Sequence, residues 1–177
     1  MPLAARARTL VAGLGNIFLG DDGFGVEVVR RLGDASLGQG IEVADIGIRG
    51  VHLAYELLAG SYDRLILVDA LPHGSAPGTV SVIEPDLDED GAAGAMDGHA
   101  LHPAAVLALV RRLGGRLPEV LVVGCEPESL DEGMGLSPVV AAAVEPAMAA
   151  VRRLVHLETE DTQHVPGDTG TDCRTIS

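Results

Sequence analysis

The chain has 177 residues, 47% of them apolar but only 2% aromatic, no Trp, and a formal net charge of −14. That length suits one domain, whose core must be built from Val, Leu, Ile and Ala, the usual filling of a parallel sheet covered by helices. The acidic balance argues against nucleic acid or anionic lipid as partner, because clustered Lys and Arg drive both kinds of binding.

Apolar runs of strand length alternate with segments of helical period, as in βαβ units. Thr9 to Leu14 is expected as a first strand and Asp22 to Leu32 as a first helix, with Val26, Val29 and Leu32 on one face and Gly33 as its stop. Ile41 to Ile46 gives a second strand and Gly50 to Leu58 a second helix. Leu65 to Val68 is a continuous apolar third strand, hence central, and it ends in Asp69.

Pro77-Gly78 signals a turn before Thr79 to Ile83, whose alternation suits an edge strand able to run antiparallel. Asp86 to Gly98 is a polar loop. Pro103 opens a helix through Leu113, Leu121 to Val123 forms the last strand, and Pro138 starts a final helix towards Val155. The expected fold is α/β, a three-layer sandwich with a twisted, mostly parallel five-stranded sheet flanked by helices. Residues 1–157 are expected to form the single domain and 158–177 an acidic, disordered tail.

Cys125 and Cys173 form neither a disulfide framework nor a metal clip, and the basic N-terminus leads into an apolar run that breaks at Gly13. A cytoplasmic location is expected. The chain also lacks an HExxH helix and a GxSxG elbow, which leaves a resident catalytic zinc and a Ser nucleophile unsupported.

The stretch from Val11 to Val26 is the most informative. Gly13 and Gly15 directly after a strand suggest a dinucleotide fold, but the third glycine of GxGxxG is missing and two carboxylates, Asp21 and Asp22, stand where a phosphate would sit. One Asp suffices to cap the helix; a second is left free to point outward as a metal ligand or general base. Asp69 ends a strand at the same edge of the sheet, where open parallel sheets bind ligands, although a turn-forming Asp fits the pattern too. His99 and His102 follow the polar loop, and either could project over that edge or remain solvated. Glu126, just beyond the last strand, could approach the same rim or equally be exposed. Two carboxylates and an imidazole make a mixed O/N set that suits a transition metal with open positions.

Gly13-Leu14-Gly15-Asn16 with Asp21 to Val26, Leu67 to Ala70 with Pro77-Gly78-Thr79, and Pro127-Glu128-Ser129 with Gly135-Leu136-Ser137 together resemble the motifs of the hydrogenase maturation proteases. These endopeptidases remove a C-terminal extension from the large subunit of nickel-iron hydrogenases. The resemblance covers nearly all of the chain before the tail. It implies three residues that contact nickel and serve catalysis, matching Asp22, Asp69 and His99, the last preferred over His102 for its spacing to Val106-Leu107. Some relatives carry Glu where this chain has Asp22.

Asp45 to Gly50 is similar to a family stretch that often has Gly-Gly-Thr where this chain has Ile46-Gly47-Ile48, so Asp45 and Arg49 are candidates for substrate recognition. Peptidyl-tRNA hydrolases share the opening strand and Gly-Leu-Gly-Asn, but the likeness stops there. The resemblance implies a nickel-loaded large-subunit precursor as partner. Nickel then comes with the substrate, and two carboxylates with one imidazole promise no tightly held resident metal. A nickel-dependent chaperone that holds the large subunit without cutting it would use the same residues.

Overall fold

The computed structural model of the protein describes residues 7–33, 37–85 and 103–161, with side chains to residue 156. Five strands form one sheet in the order β2-β1-β3-β5-β4, where β1 is Thr9–Leu14, β2 Ile41–Gly47, β3 Arg64–Ala70, β4 Val80–Ile83 and β5 Glu119–Cys125. The first three neighbouring pairs are parallel and β4 is antiparallel to β5, so the expected edge strand is the antiparallel one.

Four α-helices cover the sheet: α1 (Phe24–Leu32), α2 (Gly50–Ala59), α3 (Pro103–Arg112) and α4 (Pro138–Asp161). Strand alternation divides the core into two. Val11, Ile66, Val68, Val123 and Cys125 pack under α1 and α4, whereas Leu10, Leu65, Leu67, Val120 and Val122 pack under α2 and α3. The three-layer sandwich follows. Central β3 is buried along nearly its whole length, while β2 and β4 are partly exposed, as edges are.

Several boundaries differ from the expected ones. The first helix begins at Phe24, not Asp22, because Gly20–Gly23 forms a tighter 3-10 turn. β3 and β5 outrun their apolar cores because their neighbours continue the backbone ladder, so Asp69 lies within β3. α4 runs to Asp161, four residues into the segment expected as tail. Both His99 and His102 lie outside the described residues.

Candidate functional site

The loop between β1 and α1 is built by glycine in a way that accounts for its motif without a phosphate. A side chain at Gly25 would overlap the carbonyl oxygens of Val68 and Leu14, and one at Gly13 would strike the Gly25 carbonyl. The missing Cβ atoms let the start of α1 sit directly on the ends of β1 and β3. Gly15, at a φ of 127°, adopts backbone that L side chains rarely take, and a Cβ there would collide with the Asp22 carbonyl. The 3-10 turn that carries both aspartates is therefore pressed against the C-terminal rim of the sheet.

Asp21 and Asp22 have different surroundings. Asp21 is 1% exposed and caps neither the turn nor α1. Its Oδ2 accepts from Glu128 N at 2.8 Å, Ser129 N at 3.0 Å and Ser137 Oγ at 2.9 Å, and its Oδ1 from Ser137 N at 2.7 Å. Burial alone would raise its carboxyl, but these bonds outweigh it and hold the group below its ordinary value. Backbone bonds from Asp21 N to Ser129 O, Gly20 N to Gly133 O and Gly133 N to Phe18 O complete the tie. The segment 127–137 is thus an arm clamped to the β1–α1 loop. Asp22 is partly exposed, and its Oδ2 accepts from Asn16 N at 2.7 Å.

Asp69, near the C-terminal end of β3, is buried, at 9% exposure. Among the described residues only the Ala70 amide, 2.9 Å from Oδ1, bonds its carboxyl. Burial, and then the nearby charge of Asp22, push it up to about 8, against the weaker pull of that amide. The structure therefore brings Asp22 and Asp69 to one rim, close enough to repel. Among the described residues no three metal-binding side chains converge, and His99, the third member of the expected set, lies outside them.

Glu126 is buried at 7% exposure and serves the loop that follows β3. Its Oε2 accepts from His73 N at 2.8 Å and Ser75 N at 3.2 Å, and the His73 amide contributes most to holding this carboxyl below its ordinary value. His73 Nδ1 lies 2.8 Å from Leu71 O and 3.1 Å from Glu126 Oε2, two acceptors, so Nδ1 carries the proton and Nε2 accepts from Ser75 Oγ at 3.0 Å. The order Ser, His, carboxylate is that of a nucleophilic triad. However, Ser75 N already donates to Glu126, which takes away the nearest oxyanion donor. The chain of bonds anchors the loop leaving Asp69. In the sequence only the turn signal of Pro77-Gly78 marks this segment, and nothing there singles out His73.

Asp45 lies in β2 and pairs with Arg30 Nε at 3.0 Å. Arg49 folds back, with a guanidinium nitrogen 3.0 Å from the Asp45 carbonyl oxygen. Ile48 between them is exposed. The structure thus brings Asp45 and Arg49 together beside Gly47, whose carbonyl accepts from Gly15 N, and so next to the loop that carries Asp22.

A family model described as hydrogenase maturation protease matches residues 26–154. The hydrogenase 2 maturation protease of Escherichia coli is 34% identical over 164 residues, 90% of this chain and 96% of that protein. The hydrogenase expression/formation protein HupD of Rhizobium leguminosarum is 32% identical over 152 residues, 82% of this chain and 74% of its own. The solved structure of the E. coli hydrogenase maturating endopeptidase HybD superposes with a TM-score of 0.72 at 34% identity, covering 85% of this chain and 93% of that one. With the family model matched over most of its length and the fold reproduced, this chain belongs to the hydrogenase maturation proteases.

Proposed function

We propose that this endopeptidase removes the C-terminal extension of a nickel-loaded hydrogenase large-subunit precursor, and that Asp22, Asp69 and His99 meet the nickel carried by that substrate. The observation that supports this most directly is the pair Asp22 and Asp69. A buried carboxyl is pushed up to about 8, in part by a second carboxylate at the same rim, and no basic side chain among the described residues is bonded to either. Such a pair is costly to hold ionised until a cation arrives.

The donor set fits the group. Two carboxylate oxygens and an imidazole nitrogen suit nickel, and they leave coordination positions for the ligands that the precursor already supplies. Bound there, the metal would act as a Lewis acid on a carbonyl or a water. This chain's own residues do the rest. Asn16 N holds Asp22 in place, and the Glu126-anchored loop 71–78 fixes the chain leaving Asp69. An ionised Asp69 or Asp22 is also placed to take a proton from a water at the rim, the aspartic-type alternative.

The test is the mass of the precursor after incubation with purified protein. Nickel-loaded precursor should be shortened and nickel-free precursor should remain full length, even with metal-stripped protease. Equal cutting of both would remove nickel from the proposal, and a bound but uncut precursor would favour the chaperone.

A further inference from the structure

We infer that Phe18, Leu130 and Met134 form a preorganised docking ridge for the precursor, taking an apolar segment of it that carries basic side chains alongside. This rests on the function proposed above and deepens it by naming the chemistry of the contact. The chain has only two phenylalanines; Phe24 is fully buried, while Phe18 is 60% exposed. Met134 is 75% exposed and Leu130 43%. Gly133 N donates to Phe18 O at 2.9 Å, so the backbone just before Met134 is fastened to Phe18 although far from it in sequence.

Exposed apolar residues scattered singly are ordinary, but three on one stiffened edge mark a binding surface. The stiffening is visible. Asp21 fastens both ends of the arm by its bonds to Glu128, Ser129 and Ser137, and Leu19 bridges to Gly133 at its middle. A surface already ordered loses little conformational entropy on binding, and Phe with Met supplies contact area together with adaptability. The ridge also adjoins the site. Phe18 N donates to Asn16 Oδ1 at 3.0 Å, and Asn16 N donates to Asp22.

Charge narrows the occupant further. Glu128, Asp131 and Glu132 are exposed on the same arm, and between Arg116 and Arg152 the chain has no basic side chain. An apolar segment flanked by Lys or Arg is attracted to this surface, while an acidic one is repelled.

The experiment measures binding of nickel-loaded large-subunit precursor that retains its extension, with Asp69→Asn as background so that the complex is not consumed. The double variant Phe18→Ser, Met134→Ser should weaken binding at least tenfold, and raising salt should weaken the parent further. Leu113, exposed at the opposite end of the sheet, supplies the control, since Leu113→Ser should leave Kd within about twofold. Circular dichroism verifies that each variant is folded. Undiminished binding by the folded double variant, or equal losses in double variant and control, overturns the ridge. The unsubstituted enzyme is assayed for cleavage of the same precursor in parallel: cutting with unimpaired binding by the double variant leaves the function intact and removes only the ridge, whereas a precursor neither bound nor cut removes both.

Discussion

The two ends of the sheet handle charge in opposite ways. At the N-terminal end the ions are paired: Arg8 with Glu42 at 2.5 Å, Arg64 with Glu119 at 2.8 Å, and Tyr62 donating to Glu42 at 2.6 Å. At the C-terminal end, among the described residues, no Arg or Lys is bonded to the central carboxylates Asp21, Asp22, Asp69 and Glu126. Asp21 and Glu126 are occupied largely by backbone N–H groups, and the charge of Asp22 lies close enough to Asp69 to help raise its carboxyl. One end has its electrostatics settled within the chain. The other holds a buried carboxyl raised to about 8 beside a second acidic side chain, a perturbation more common at sites than in scaffolds.

The largest effect in breaking this contrast should come from Asp69→Asn. Cleavage of the precursor should fall roughly 10²- to 10⁴-fold, the scale of removing an acid–base or charge-stabilising group, and undiminished processing would end its assignment. The same variant should stabilise the free protein as pH rises. Between the ordinary value of 3.8 and about 8 the unfolded chain ionises Asp69 while the folded chain keeps it protonated, so wild-type stability falls across that window. Denaturant midpoints at pH 5, 7 and 9 should show the variant's advantage growing, and a constant gap would contradict the buried, raised carboxyl.

Next is Asp21→Ala, which strands buried N–H donors. It should cost about 3 kcal/mol in chemical denaturation, since bonds to an ionised acceptor are worth roughly 1.5–3 kcal/mol each and do not add fully. Because the carboxyl is lowered in the fold, its contribution is present above the ordinary value and is lost as pH falls through the folded one. A change under about 1 kcal/mol near neutral pH would show that the clamp is dispensable.

The smallest effect belongs to the paired end. Glu119 is half exposed, and Glu119→Ala should shift stability by no more than about 1 kcal/mol, with cleavage untouched. A loss of processing there would erase the distinction between the two ends.

Much of this was legible before any coordinates. The run Leu65 to Val68 is apolar on every residue because both its faces are covered, and that placed β3 at the centre and Asp69 at the ligand-binding edge. The alternation about Val80 and Val82 marked an antiparallel edge. The division of labour between Asp21 and Asp22 was not legible, because the groups that claim Asp21 lie more than a hundred residues away and leave no local trace. Helix capping was the nearest explanation, and the structure replaces it with a clamp. Burial of Glu126 was hidden likewise, since its partners His73 and Ser75 belong to a loop with no periodicity to reveal them.

The bond between Asp21 and Ser137 joins residues 116 positions apart. Closing so long a span costs chain entropy that one bond does not offset, so the contact depends on the sheet and the docking of α4 to bring its ends together. The clamp thus couples distant parts of the chain: the loop that carries Asp22 keeps its border only while the start of α4 stays docked.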